Sequence, residues 1–312
     1  YYENNQITGI DMDIMRAVSD ELGMDMQIED MAFDSIIAAI TSGKVNVGAS
    51  GFTVTEDRKK NINFTDTYIT TKQVIIVRDG GSTGGYSLKE KLYDNFVKDN
   101  RYLYIVKGFG NTLIITLFAV MLGIVLGFLI AIVRTNHDRN GELPILNAVC
   151  KVYLTVIRGT PVMIQLLIIY YVILASVTNK IVVAAIAFGL NSAAYVAEIV
   201  RSGIMSVDMG QFEAGRSLGL NYSQTMQSII LPQAIKNILP ALLNEVISLL
   251  KETSISGYIG LMDLTKGGDI IRSNTYEAFL PLIAVAIIYL AFVMLLSTFV
   301  SKLERRLRSS ER

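Results

Sequence analysis

The sequence FGNTLIITLFAVMLGIVLGFLIAIV, residues 109–133, indicates the fold class of this chain. It carries no charged side chain over about 25 positions, and roughly 20 apolar residues in a helix are enough to cross about 30 Å of hydrocarbon. Four further apolar segments follow along the chain, at 162–179, 181–197, 234–256 and 278–301. The sequence therefore predicts an all-α membrane protein with five transmembrane helices rather than the buried core helices of a soluble domain.

The composition argues against several other classes of protein. Hydrophobic residues make up 51% of the 312 and charged residues 18%, whereas an ordinary soluble domain has about 25% charged residues. The 28 basic and 28 acidic residues cancel, which argues against a nucleic-acid binder. Cys150 is the single cysteine and His137 the single histidine, so we predict no disulfide framework, no metal site and no catalytic residue.

The first 79 residues are polar and mixed, and their periodicity predicts an α/β unit. Helical spacing covers residues 9–23 and 35–43, and each run ends at a glycine. The alternating runs 44–52 and 72–78 predict strands. Two acidic residues directly after Thr55 predict the start of a further short helix, because acidic side chains favour a helix N-terminus.

A change of composition separates this unit from the membrane spans. Residues 80–85, GGSTGG, predict a flexible linker. Residues 86–108 predict an amphipathic helix at the membrane surface, because apolar residues recur there at helical spacing between charged ones. The sequence thus predicts a unit at 1–79, a linker, an interfacial helix and a transmembrane domain at 109–312.

The basic residues set the predicted orientation. The tail after residue 301 carries five of them, which predicts a cytoplasmic C-terminus in the plasma or inner membrane. An odd number of spans then places the N-terminal unit outside the cytoplasm. The basic residues of 89–107 run against this orientation, although the other loops favour it. The chain begins Tyr-Tyr, with no initiator Met or signal peptide, so we expect a processed or truncated product.

The polar loop between the third and fourth spans carries the most specific motif, EAGRSLGLNYSQTMQSIILP at 213–232. This run resembles the E-A-A-x3-G-x9-I-x-L-P loop of permease subunits in binding-protein-dependent ATP-binding-cassette (ABC) importers. The matching residues are Glu213, Ala214, Gly219, Ile229, Leu231 and Pro232, and Gly215 stands where the family has a second alanine. We expect Glu213 and Ala214 to start a helix, Gly219 to permit a sharp turn, and Pro232 to end the loop before the fourth span. The resemblance implies an ABC type I importer permease fold whose coupling loop, residues 201–233, docks on a separate ATPase subunit.

Three further runs resemble the polar-amino-acid branch of these permeases: RGTPVMIQLL at 158–167, NSAAYVAEIVRSGI at 191–204 and LLKETSI at 249–255. The chain contains no G-x4-G-K-[ST] phosphate loop, so ATP and Mg²⁺ would be bound by the partner ATPase and this chain would hold no cofactor. The resemblance implies alternating access by two permease subunits, the second being another copy or a homologue, with a polar amino acid as substrate.

Residues 1–79 resemble the first half of lobe one of an amino-acid-binding protein, chiefly through NVGASGFTVTEDRKKNINFTDTY at 46–68. The resemblance implies that Arg58 pairs with a ligand carboxylate, a role that suits a planar guanidinium. It also implies ligand contacts from Phe33, Ser50, Gly51 and Thr53. The second lobe is missing, so we expect weak or no binding by this fragment and delivery of substrate by a separate intact binding protein.

Polar side chains inside the spans are the other candidates for function, because they are costly in hydrocarbon. The candidates for the substrate pathway are Asn191, Glu198, Asn244, Glu245 and Lys251. A structural pairing with a neighbouring helix explains each of them equally well at this stage. Two other functions are also open, a membrane-anchored amino-acid sensor and a glutamate-receptor-like channel, but a signalling domain and a carbonyl-filter sequence are both missing from the chain.

Overall fold

The computed structural model describes residues 2–3, 6–70 and 87–309, and nearly all of their regular structure is helical. In the N-terminal part the helices are α1 Ile10–Leu22, α2 Ile36–Thr41 and α3 Glu56–Lys59, and the strands are β1 Tyr2–Glu3 and β2 Gln6–Ile7. The two strands pair antiparallel, with Tyr2 opposite Ile7. The helix predictions in this part are confirmed: Gly23 ends α1 in the left-handed conformation, and the Thr55 side chain caps α3.

The remaining α-helices follow residue 87. They are α4 Leu88–Leu92, α5 Tyr102–Asn140, α6 Pro144–Gly159, α7 Val162–Ile168, α8 Lys180–Met205, α9 Met209–Ser217, α10 Tyr222–Thr225, α11 Leu231–Glu252, α12 Leu264–Thr275 and α13 Phe279–Ser309. Single π-helical turns extend α4, α7 and α10, at Tyr93–Val97, Ile169–Ile173 and Met226–Ile230. A 3-10 segment, Thr253–Ile259, continues α11.

Three helices in the described part of the chain, α5, α8 and α13, are long and apolar enough to cross a membrane. A fourth candidate is α6 followed by 162–173, a pair bent by 110°. This bend lies at the predicted break, where Gly159 ends one helix and Pro161 precedes the next. The segment predicted as the fourth span, 234–256, lies mostly in α11, which is 22 residues long but is not among the helices apolar enough to cross a membrane.

Helix α8 lies at the centre of this bundle, since 67% of its apolar window is buried, against 28% for α5 and 11% for α13. It packs closely along α5 through small residues. A methyl group on Gly123 would lie 3.0 Å from the Ser192 side chain, and one on Gly127 would lie 2.5 Å from Val196. Small residues let two backbones approach within lipid, where no hydrophobic force drives the helices together. The close packing of α5 and α8 therefore fixes the positions of the polar residues on α8.

The start of α5 packs against the backbone of Asp263, whose buried carboxylate caps α12. Asp263 caps α12 by accepting from the backbone N–H of Lys266 and also accepts from the Ser256 hydroxyl, at 2.6 and 2.7 Å. Burial raises the pKa of this carboxyl above its ordinary value, and these hydrogen bonds oppose the shift. Gly108 of α5 lies against the Asp263 backbone, where a methyl group would be only 2.7 Å from the carbonyl carbon.

This contact predicts opposite effects for two neighbouring glycines of α5. Gly108→Ala should destabilise the protein by about 1–3 kcal/mol, because backbone on both sides leaves the methyl group no room. Gly110→Ala should be neutral or slightly stabilising, because nothing lies within 4 Å of that position and alanine favours a helix. Thermal unfolding of both variants in detergent micelles measures the difference, and equal midpoints would contradict the close approach.

Three features of the secondary structure differ from the sequence-based predictions. The predicted strand 44–52 is wrong, because these residues are irregular and no neighbouring strand lies within the described residues to pair with their backbone. The predicted interfacial helix 86–108 breaks at Asp99 and Asn100, which have positive φ, and residues 102–108 belong to α5. His137, predicted in a loop, lies in the last turns of α5. The predicted strand 72–78 and linker 80–85 lie outside the described residues.

Candidate functional site

The coupling loop folds as two short helices that meet at an aromatic pair. Phe212 of α9 stacks on Tyr222 of α10 with ring centroids 6.1 Å apart. Phe212 is buried, and burial also raises the pKa of the Tyr222 phenol, which keeps that ring neutral. The motif residues Glu213 and Ala214 lie in the middle of α9 rather than at its predicted start, which Asp208 caps.

The two motif glycines have different structural reasons. Gly219 has φ +79° and nothing within 4 Å, so it ends α9 in a left-handed turn that a side chain would strain. Gly215 is buried, and a methyl group there would lie 2.6 Å from Cγ2 of Thr225. The glycine that replaces the second alanine of the motif thus makes room for a threonine of α10.

The motif residues divide between the surface and the interior. Glu213 and Ala214 are exposed, and so is Leu218, with 77% of its surface accessible. Ile229, Leu231 and Pro232 lie at the junction with α11, where Pro232 stands in its first turn. Pro232 therefore opens the next helix, a position where its missing N–H is tolerated, rather than closing the loop as predicted.

Arg139, in the last turn of α5, connects this helix to the loop. Its guanidinium carbon lies 3.8 Å from the centroid of the Phe212 ring, and one of its amino groups donates to the carbonyl of Ile204 at 3.5 Å. A cation over an aromatic face is attracted by the ring quadrupole. The sequence-based prediction missed this residue. In the sequence, Arg139 is marked only as a basic residue that follows a long apolar run, and basic residues of this kind commonly flank the cytoplasmic end of a span.

The polar residues of the membrane helices form two buried pairs. Asn191 of α8 donates to the side-chain oxygen of Gln165 at 2.9 Å, and Gln165 in turn donates to the carbonyl of Ile157 across the bend. Ser192 donates to the Glu245 carboxylate of α11 at 2.8 Å. Consecutive residues of α8 thus contact two different helices, and Gln165 is a second residue that the sequence-based prediction missed.

A network of charges lies toward the C-terminal end of α8. Glu198 accepts from Arg201 at 2.8 Å and lies 3.4 Å from Arg158, and Arg201 also lies 3.3 Å from Asp138 of α5. A cleft of about 440 Å³ opens beside this network, lined by Arg158, Tyr195, Glu198 and Asn237 among others. The pairing neutralises charges that would be costly if isolated in an apolar environment, while the open cleft leaves part of them accessible.

The remaining pathway candidates lie away from these pairs. Asn244 is exposed on α11, next to Glu245 in sequence but turned away from Ser192. Lys251 lines a separate cavity of about 300 Å³ together with Thr265 and Tyr289. The structure therefore places Asn191 and Glu245 in two separate pairs beside α8, lines the cleft with Glu198, and keeps Lys251 apart.

The predicted ligand residues of the N-terminal part are partly assembled. The rings of Phe33 and Phe52 stack at 4.7 Å, and the Arg58 guanidinium lies over both, at 5.7 and 5.4 Å. Arg58 also donates to the carbonyl of Thr53 at 2.9 Å. Ser50 and Gly51 lie in the irregular segment beside them. No cluster of three metal-ligating side chains occurs within the described residues.

The fold and these polar regions define a multi-pass membrane transport component. The chain belongs to the family described as "Binding-protein-dependent transport system inner membrane component", which matches residues 123–309. It is a membrane permease, and it is therefore a multi-pass protein of the inner membrane.

Named relatives agree with this assignment. The chain is 42% identical over 210 residues to a Rickettsia bellii protein named as a glutamine transport system permease, GlnP, covering 66% of this chain and 94% of that protein. It is 38% identical over 212 residues to the arginine transport system permease protein ArtQ of Bacillus subtilis, covering 67% and 94%.

Solved structures extend the likeness to the fold. The crystal structure of an amino acid ABC transporter with histidines has 42% identity and a TM-score of 0.61, covering 66% of this chain and 94% of that one. An inward-facing methionine ABC transporter, MetNI, has 20% identity and a TM-score of 0.58, which supports the fold alone.

Proposed function

We propose that this chain is the permease subunit of an ABC importer for polar amino acids, with five spans, an extracytoplasmic N-terminal part and a cytoplasmic C-terminus. The observation that carries the proposal is the coupling loop: its motif residues fold into a helix whose exposed face, with Ala214 and Leu218, lies opposite the buried Phe212. The names of the relatives, which include glutamine and arginine transport permeases, support polar amino acids as the substrate class.

The proposed mechanism follows from the positions of the coupling loop and of the membrane helices that it joins. Two ATPase subunits that close on ATP would push on the exposed face of α9, because the loop is held between the spans by Phe212 and Arg139. A ligand shifts an equilibrium only by its differential affinity for the two states, so ATP binding must favour one arrangement of the spans. One chain alone does not enclose a pathway across the membrane. A second permease subunit, either another copy of this chain or a homologue, completes it.

Substrate recognition is assigned to the polar residues around α8. Glu245 supplies a carboxylate that accepts from a serine hydroxyl, and it suits the ammonium group of an amino acid. Asn191 and Gln165 offer neutral hydrogen-bonding groups beside the residue that pairs with Glu245, and Glu198 with Arg158 lines the cleft on the cytoplasmic side.

We also propose that residues 1–79 are a partial binding-protein lobe. The position of Arg58 over Phe33 and Phe52 supports it, because a guanidinium held over rings is preorganised for a carboxylate. A separate intact binding protein then delivers the substrate, since a single lobe encloses little of a ligand.

Reconstitution tests the function directly. The chain, with an ABC ATPase and an intact amino-acid-binding protein, should give ATP-dependent uptake of labelled glutamine, glutamate, arginine, histidine or cystine into proteoliposomes. Uptake that needs no ATP would favour the channel, and specific binding without any uptake would favour the sensor. Either result, obtained with the ATPase bound to the membrane protein, would overturn the proposal.

Arg139 provides a test of coupling. Arg139→Gln should lower ATP-driven uptake about 2- to 30-fold, the range that corresponds to losing a cation–π contact of about 0.5–2 kcal/mol. ATP hydrolysis should fall less than uptake, so more ATP is used per substrate, and Arg139→Lys should restore part of the ratio. The matched control is Arg272→Gln, which removes a guanidinium paired only with Asp269 of its own helix. An unchanged ratio of hydrolysis to uptake would argue against this role.

A further inference from the structure

A part of the N-terminal unit, residues 29–44, lies on the outer end of the membrane domain. This clamp segment contains α2 and carries an acidic pair, Glu29 and Asp30, at one end and Lys44 at the other. Ala39, in the middle of α2, is fully buried. The segment contacts the first residue of α8 and the residues just after the 3-10 segment Thr253–Ile259, two elements that belong to different predicted spans.

Lys180 is the centre of the first contact. Its ammonium nitrogen lies 2.7 Å from the Glu29 carboxylate and donates to the carbonyl of Asp30 at 2.8 Å. It also lies 3.4 Å from the carbonyl oxygen of Gly260. Only 15% of the Lys180 side chain and 23% of the Glu29 side chain are accessible to solvent. A lysine at the start of a helix is unfavourable for the helix dipole, so the nearby carboxylate offsets a local cost.

Lys44 makes the second contact. It donates to the carbonyl of Val177 at 2.9 Å, and its ammonium lies 3.7 Å from the centroid of the Tyr170 ring, which is part of the membrane core. Burial lowers the pKa of Lys44, Glu29 opposes this shift and Lys180 adds to it, so the three charges are within electrostatic reach of one another. The segment therefore holds the end of the second predicted span as well as the third.

Gly260 makes the third contact possible. It has φ +67°, and a methyl group on it would overlap the carbonyl oxygen of Asp30. The backbone of the clamp segment thus enters a space that only glycine leaves open at this position.

We propose that residues 29–44 form an intramolecular clamp that ties the outer ends of α7, α8 and the 253–260 segment together. Its partner surface is made of Tyr170, Val177, Lys180 and Gly260. Because these ends must move relative to one another in alternating access, a contact that spans them stabilises the arrangement seen in this structure over the other. The regulatory consequence rests on the proposed transport function, but the clamp itself does not.

Charge reversal tests the clamp in the full chain in lipid nanodiscs. Lys180→Glu and Glu29→Lys should each raise hydrogen–deuterium exchange of the α2 amides by about tenfold, because each leaves a half-buried charge facing a like charge. The double variant should recover part of the slow exchange, because the ion pair re-forms with its charges exchanged, whereas the hydrogen bonds of Lys180 to the carbonyls of Asp30 and Gly260 do not. Lys60→Glu is the control, since that lysine is exposed and, among the described residues, forms an ion pair with Asp57 of its own short helix turn. Fast exchange of α2 in the unmodified protein, or a double variant no slower than the singles, would overturn the proposal.

A second measurement tests the consequence. With ATPase and binding protein present, the single variants should raise ATP hydrolysis in the absence of substrate, and the double variant should bring it back toward the starting level. The exchange measurements could support the clamp while hydrolysis stays the same in all variants. That result would confirm the clamp and overturn its regulatory role. Absence of uptake in every variant and in the wild type would instead count against the proposed transport function.

Discussion

Replacing Glu245 by glutamine is expected to lower ATP-driven amino-acid uptake about 10- to 150-fold, which corresponds to the loss of a hydrogen bond to a charged group of about 1.5–3 kcal/mol. The side chain lies in the middle of α11, and its carboxylate accepts from Ser192 at 2.8 Å. Among the residues that the structure describes, it forms no ion pair, although an isolated carboxylate in a membrane helix is costly. An ammonium group of the substrate would complete the pairing.

The measurement is the initial rate of uptake over a range of substrate concentrations in proteoliposomes. Glutamine keeps the shape of the side chain and still accepts from Ser192, so folding should be preserved. The comparison is Ser192→Ala, which removes the serine hydrogen bond but keeps the carboxylate for the substrate ammonium, so it should lower uptake less than Glu245→Gln does. A Glu245→Gln protein with unchanged KM and rate would show that this carboxylate has only a structural role.

Ala214→Arg is expected to abolish stable association with the ATPase, with at least about a 30-fold loss of affinity, the effect of losing a hot spot of about 2 kcal/mol or more. Ala214 is exposed on the face of α9 that is opposite the buried Phe212. A long charged side chain there would keep a partner surface away without disturbing the contacts of the loop with the spans.

Copurification of the ATPase with the tagged permease measures this effect. Ala214→Ser is the control, because it retains a small side chain and should retain binding. The unfolding midpoint of Ala214→Arg should match that of the unmodified protein, since the residue is exposed. Normal copurification of the ATPase with Ala214→Arg would place the docking surface elsewhere on the chain.

The sequence predicted best those features that depend on local chemistry. The charge-free run at 109–133 lies within α5, Gly219 turns the chain where the motif places it, and Pro161 lies at the 110° bend. Each of these follows from neighbouring residues alone, through the cost of charge in hydrocarbon or the φ angle of a single residue. The motif at 213–232 also predicted the family, to which the match at 123–309 assigns the chain.

The sequence failed where distant segments decide the outcome. The run 44–52 has the alternation of a strand, but a strand needs a partner and the described residues hold none beside it. Gln165, Arg139 and Lys180 gave no distinctive signal. Their roles come from Asn191, Phe212 and Glu29, which lie 26, 73 and 151 residues away in sequence, respectively.

By itself, then, the amino-acid sequence determined that this chain is a helical membrane permease, and its motif predicted a coupling loop for an ATPase. Hydropathy and motif spacing are properties of contiguous residues, and they persist whatever the helices pack against. Only the tertiary structure decided which polar side chains meet, because Glu245, Ser192 and Asn191 find their partners through the close packing of small residues along α5 and α8. Other tertiary contacts, made by Glu29 with Lys180 and by Lys44 with Val177, decided that residues 29–44 lie against the membrane helices.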